Sequence, residues 1–247
     1  MNKKQVIACL ISLVISSLIH AASVAKLLPV NIDVSDQSKL QRGAKIFMNY
    51  CSGCHSLKYM RYNTMAKDLG LTTFTGEIDT DLLFNNLIFT TAKIHDPIEI
   101  SMPAIDARQW FGIMPPDLSL TARERGASWI YTYLKSFYAD DSKPFGTNNL
   151  LVPDVAMPNV LEPLIGRVAA VKGDTESAIS HLVLVAPGEM NQREFNSTVE
   201  DLVTFLSYVA EPVQLVRYRI GIIVILFLSV FWLLAYLLKR TYWKNIH

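Results

Sequence analysis

The chain has 247 residues, 51 % of them hydrophobic, with 23 Lys and Arg against 22 Asp and Glu and a formal charge of +1. So even a balance carries no footprint for nucleic acid, so high an apolar fraction excludes an intrinsically disordered chain, and three cysteines are too few for a disulfide-built scaffold. Position says more than the totals: all 22 acids lie between Asp33 and Glu211, and residues 26–219 carry 18 bases against them, a charge of −4.

Lys3 and Lys4 precede an apolar run from Val6 to Ile19 and the small residues Ala21, Ala22, Ser23 and Ala25. That order reads as a secretory signal peptide over residues 1–22, with cleavage after Ala22 or Ala25. A retained N-terminal anchor is the competing reading, but the run is short for a membrane span. Cys9 leaves with the signal, so the mature chain keeps Cys51 and Cys54 in an oxidising compartment.

Asp36 or Ser35 caps an expected helix over 36–51, in which Leu40, Ala44, Phe47, Met48 and Cys51 recur at helical spacing. It ends on Cys51-Ser52-Gly53-Cys54-His55, a C-x-x-C-H motif of the kind that attaches c-type haem. Two thiols on one turn reach the two vinyl groups of a single porphyrin, and the histidine that follows is carried beneath the iron as a proximal ligand. Gly53 is expected to let the backbone turn close to a flat ligand. A zinc half-site competes, but no second cysteine pair exists. A thioredoxin-like dithiol competes as well and would need a βαβ context; the flanks here read as helical and turn-rich. One motif means one covalent haem.

Helices are further expected at 80–90, 119–138, 192–210 and 213–240, and residues 143–190, rich in Pro, Gly and Val, read as loops with a short hairpin. Asn191 to Glu194 resembles a capping box, and Glu211-Pro212 separates the last two helices. Met48, Met60 and Met65 lie close to the attachment helix, where packing near the haem edge is expected of them. Met102, Met114 and Met157 each precede a proline, which favours turns that can bring a thioether to iron. Together with Met190 they leave the sixth ligand undecided by spacing alone. His95 and His181 read as ordinary loop residues. Ile220 to Leu238 runs 19 residues without a charge, about 28 Å as a helix, enough to cross a membrane. Trp232, Tyr236, Tyr242 and Trp243 gather near its far end, and Lys239, Arg240 and Lys244 follow. The positive-inside rule therefore puts the C-terminus in the cytoplasm. The expected fold class is mostly α, a cytochrome-c-type haem domain with loop insertions on one C-terminal transmembrane helix. Its divisions are a periplasmic domain at 26–212, a span at 219–239 and a cytoplasmic tail at 240–247.

Four segments in this order resemble the cytochrome c1 family of proteobacterial type, the haem subunit of ubiquinol–cytochrome c reductase (the cytochrome bc1 complex). They are LQRGAKIFMNYCSGCHSLKYMRYN (40–63), DARQWFGIMPPDLSLTARERG (106–126), LLVPDVAMPNVLEPLIG (150–166) and EDLVTFLSYVAEP (200–212). The resemblance covers nearly the whole chain. It implies Met157 as the iron ligand opposite His55, Arg125 as the partner of a haem propionate, and Pro115 and Pro116 as residues lining the haem on the histidine side. The sequence departs from many bacterial relatives after MPNVL, where Glu162-Pro163 stands instead of Trp, which opens the question of how that stretch packs.

The same resemblance implies one covalent haem c and a one-electron relay with no substrate transformed at this chain. The chain would be a carrier subunit of a proton-translocating quinol–cytochrome-c reductase in the bacterial inner membrane. It implies cytochrome b, the Rieske iron–sulfur protein and a cytochrome c acceptor as partners, in a dimer of the multi-subunit complex. Glu77, Asp79 and Asp81 offer an acidic face to a basic cytochrome. Another membrane-anchored mono-haem cytochrome, such as an oxidase subunit, is the alternative, and a membrane-anchored thiol–disulfide enzyme is a second.

Overall fold

The computed structural model describes residues 27–172 and 179–245; the expected signal peptide lies outside them. Helix α1 (Gln37–Tyr50) begins where the sequence suggests, with the Asp36 carboxylate accepting from the Lys39 backbone N–H at 3.1 Å. It buries Leu40, Ala44, Phe47 and Met48 against the long helix α8 (Gln192–Ala210), whose capping box from Asn191 and Glu194 is formed. Phe47 and Phe205 meet at 5.8 Å between ring centroids. Where the helices cross, Gly43 backs onto the Asp201 carbonyl so closely that a Cβ there would sit 2.2 Å from the oxygen. Arg42 pairs with the buried Asp201 carboxylate at 2.6 and 3.2 Å, and Lys39 with Glu200 at 2.7 Å. Each large apolar side chain buried in this seam contributes roughly 1.5–3 kcal/mol, so hydrophobic burial holds the two helices while the ion pairs set their register.

The rest of the core comes from β1 (Leu57–Arg61), α2 (Tyr62–Asp68) and α3 (Thr80–Asn86), through Leu57, Met60, Tyr62, Met65, Ala66, Leu69 and Leu83. β1 pairs antiparallel with the short β2 (Pro97–Ile98), so the motif is followed by a strand where a helical, turn-rich flank was expected. The helix expected at 80–90 stops at Asn86, because the N–H groups of Leu87 and Ile88 both fold back onto the Leu83 carbonyl. α4 (Ala104–Phe111) was not anticipated.

The helix expected at 119–138 is two, α5 (Thr121–Arg125) and α6 (Ala127–Lys135). Gly126 breaks it at φ 88° and ψ 153°, a conformation that glycine adopts without a Cβ penalty. Both pieces pack on α8. The chain then enters a four-stranded sheet of β3 (Phe137–Ala139), β4 (Thr147–Asn149), β5 (Gly166–Lys172) and β6 (Ile179–Pro187), in the order β4-β3-β5-β6. Within residues 143–190, expected as loops with a short hairpin, β5 and β6 form an antiparallel pair that is longer than expected, and β4 adds one more strand. Glu162-Pro163 opens the short helix α7 (Glu162–Ile165), which buries Leu164 and Ile165 beside Leu161, while Glu162 is half-buried and Pro163 exposed.

The last helix, α9 (Gln214–Tyr242), is long and apolar enough to cross a membrane, and none of it is buried in the chain. Its 29 residues extend about 43 Å at about 1.5 Å per residue. The expected break at Glu211-Pro212 is present, and Glu211 ties to Arg217 across it, with one Nη2–Oε2 contact at 3.0 Å.

Candidate haem site

The attachment turn is built on the end of α1. The Cys51 N–H donates to the Phe47 carbonyl at 2.8 Å, and the Cys51 carbonyl accepts from Cys54 and His55 at 3.0 and 2.8 Å. The Ser52 hydroxyl donates to the Met48 carbonyl at 2.7 Å. One compact turn therefore carries both thiols and the imidazole. At Gly53 the φ is not in the left-handed region, and an added Cβ would meet no chain atom within 4 Å. The turn itself does not require a glycine.

Cys51 and Cys54 form no disulfide. Burial pushes the Cys51 thiol up to about 12, with the neighbouring Cys54 adding to it, and burial raises Cys54 as well. A dithiol oxidoreductase needs the opposite, a thiol whose pKa is lowered towards ambient pH.

His55 is the most informative group. Its Nδ1 lies 2.8 Å from the Pro116 carbonyl oxygen, which can only accept, so Nδ1 carries the proton and Nε2 keeps its lone pair. Burial lowers the imidazole pKa, against the opposing influences of that carbonyl and Asp117. The neutral ring is thus held in the tautomer of a metal ligand, oriented by the carbonyl behind it. The segment that supplies the carbonyl is itself fixed. The Asp117 carboxylate accepts from the Lys58 and Ser119 N–H groups at 2.8 and 2.9 Å, the Ser119 hydroxyl accepts from Tyr59 N–H at 3.2 Å, and Leu118 N–H donates to the Ser56 carbonyl at 2.9 Å. Asp117 and Ser119 were not singled out from the sequence, although Pro-Pro-Asp-x-Ser is a turn signature.

A second group assembles around Met157. The Tyr133 hydroxyl lies 3.4 Å from the Met157 sulfur. Burial pushes that phenol up to about 12, so it stays a neutral donor. The Tyr133 ring stacks on Trp129 at 5.2 Å and 6°, and meets Phe137 edge-on at 5.2 Å. Arg125 lies over the Trp129 ring, its Cζ 5.3 Å from the ring centre, and also pairs with Glu124 at 3.4 Å. Two buried asparagines shape the Met157 loop. Asn149 accepts from Leu151 and Val152 and donates to the Tyr133 carbonyl at 2.8 Å, while Asn148 accepts from Asp154 at 2.9 Å. Neither the asparagines nor Tyr133 was legible as part of the site; nothing in their spacing marks them.

The remaining candidates separate cleanly. Met48, Met60 and Met65 are core residues in the cluster that also holds Cys51. Met190 packs against that core, its N–H on the Leu164 carbonyl and its sulfur 3.5 Å from the Thr198 hydroxyl. Met102, Met114 and Pro115 are half-buried, and Pro116 is exposed. His95 is exposed and bonds Asn63 at 3.1 Å, and His181 lies on β6. Within the acidic stretch the Asp79 carboxylate caps α3, while Glu77 and Asp81 are exposed. No hydrogen bond or ring contact joins the His55 group to the Met157 group among the described residues. Both are carried by elements packed on α8.

The donor set fits a c-type haem: an imidazole with a free Nε2, two thiols on one turn and a thioether on a separately braced loop. Comparison with known proteins points the same way. The family model described as the Cytochrome C1 family matches residues 31–246. The chain is 48 % identical to a cytochrome c1 of Allochromatium vinosum over 99 % of its own length and 100 % of that protein. It is 43 % identical to a Nitrosomonas europaea protein named ammonia monooxygenase gamma subunit, over 87 % of each chain. It is also 26 % identical to the mitochondrial cytochrome c1 haem protein of Saccharomyces cerevisiae, over 85 % of this chain and 68 % of that one. With a c-type haem as the cofactor this membership implies, the chain belongs to the cytochrome c1 family.

Proposed function

We propose that the chain is the membrane-anchored electron carrier of a cytochrome bc1-type complex, taking electrons from a Rieske iron–sulfur protein and passing them to a cytochrome c. The observation that carries the reading is His55, whose Nδ1–H is committed to the Pro116 carbonyl, so that Nε2 would be left to bind a haem iron. A bound haem supplies a one-electron couple at this position. Cys51 and Cys54 would hold the group covalently, and His55 and Met157 would bind its iron. Pro115 and Pro116 line its histidine side. Arg125, its guanidinium held on Trp129, is the partner for a propionate, a charge-assisted pairing suited to its fork geometry.

The chain's own contribution is to hold the axial groups still. His55 is fixed through Pro116 and the Asp117–Ser119 turn, and Met157 through its asparagine-braced loop. A site whose ligands do not move between oxidation states needs little rearrangement at each transfer. The exposed Glu77 and Asp81, with the −4 charge of residues 26–219, favour a basic acceptor through an attraction that weakens with salt. α9 anchors the complex beside cytochrome b, with the haem domain in the periplasm and the C-terminus in the cytoplasm.

The detergent-extracted complex provides the test. It is expected to hold b-type haem and an iron–sulfur subunit beside one covalent haem per copy of this chain. Cys51→Ala together with Cys54→Ala is expected to abolish the haem that survives denaturation. Covalent haem in the double variant refutes the attachment site. A cytochrome isolated reproducibly without b-type haem or iron–sulfur protein favours the oxidase-associated alternative.

A further inference from the structure

We propose that Tyr133 is a positioning residue for the electron-transfer site, its hydroxyl donating to the Met157 thioether and thereby setting both the hold of that ligand and the potential. The inference rests on the reading of Met157 as the iron ligand. The geometry is specific. The hydroxyl is 3.4 Å from the sulfur, and the ring that carries it is clamped by Trp129 on one face and by the edge of Phe137. The Tyr133 carbonyl is fixed as well, by Asn149 from the strand that leads into the Met157 loop. Phenol and thioether are thus tied to one another at two points, side chain and backbone.

A thioether has two lone pairs. One accepts from Tyr133, and the other is free to bind metal. A hydrogen bond to the sulfur draws electron density from it and makes it a poorer donor, which favours the reduced metal over the oxidised one. Hydrogen bonds to a metal's ligands tune metal sites in this way. The same bond restrains the methionine from swinging away and opening the site to an external ligand. A matching contact joins residues not proposed as ligands: the Thr198 hydroxyl approaches the Met190 sulfur at 3.5 Å on a methionine packed against the core. It provides an internal control.

The experiment uses the full-length, haem-loaded chain in its complex. Tyr133→Phe keeps both ring contacts and removes only the hydroxyl. A neutral hydrogen bond of ordinary strength corresponds to roughly fivefold in an equilibrium constant. The variant is therefore expected to shift the reduction equilibrium roughly fivefold towards the oxidised state, about 40 mV at 59 mV per decade. Carbon monoxide should bind the reduced protein more tightly than in wild type. In a Met157→Leu background, where no sulfur remains, Tyr133→Phe should have no further effect, and Thr198→Val should leave potential and spectrum unchanged. If Met157→Leu loses the thioether spectrum but Tyr133→Phe changes neither potential nor carbon monoxide binding, the role of Tyr133 is overturned and the ligand reading stands. An equal shift in the leucine background also overturns it, because the effect is then structural. If Met157→Leu keeps the wild-type spectrum, the ligand reading fails, and this inference fails with it.

Discussion

Gly43→Ala tests whether the seam between α1 and α8 is as tight as its geometry implies. The new Cβ would lie 2.2 Å from the Asp201 carbonyl oxygen and 2.6 Å from the Phe205 Cβ. A carbon and a carbonyl oxygen settle at roughly 3.3–3.6 Å, so the helices must part by about 1 Å. A gap of that size forfeits a quarter to a half of each dispersion contact along the seam. The obstructing atoms are backbone and Cβ on a packed helix and have little room to yield, which puts the cost near the upper end of the ~1–3 kcal/mol typical of overpacking. Against this, alanine gains about 1 kcal/mol over glycine in a helix interior. The net expectation is a loss of about 2 kcal/mol, and because α1 ends on Cys51 the attachment turn should move with it. Guanidinium unfolding of the purified chain in detergent, followed by tryptophan fluorescence, measures the loss as a lower midpoint at unchanged slope. A Gly43→Ala protein as stable as wild type would refute the close-crossing argument.

Two further expectations concern the junction and the anchor. The hydrogen bond from Arg217 holds the Glu211 carboxyl below its ordinary value, so its contribution is present above the unfolded carboxylate range and lost as pH falls through the depressed folded value. The difference in thermal midpoint between wild type and Glu211→Gln should accordingly be present at neutral pH and close under acid; a difference independent of pH excludes the carboxylate as its source. Stopping the chain near Tyr218 should release a soluble haem-bearing domain, since both proposed axial ligands lie upstream of the apolar run. Fractionation of cells expressing that truncation without its partner subunits decides the point, and retention in the membrane contradicts a single C-terminal anchor.

Local chemistry made several features readable without a structure. Cys51, Cys54 and His55, the residues proposed to hold the haem, stand out because covalent attachment and iron binding call for three residues on one turn. Asp36 and the Asn191–Glu194 box start their helices through contacts only two or three residues away, and α9 follows from an uninterrupted apolar run. The features that escaped depend on partners distant in sequence. Gly126 breaks a helix whose halves fit α8 separately, and β3 and β5 pair across the whole Met157 loop. The His55 tautomer comes from a carbonyl 61 positions away, and the Tyr133–Met157 bond spans 24. Periodicity reports which face of a segment is apolar; it carries no information about which distant donor or carbonyl will be packed against that face. Sequence therefore determined which chemistry is proposed for this chain, and only the tertiary structure decided how His55 and Met157 are oriented and held.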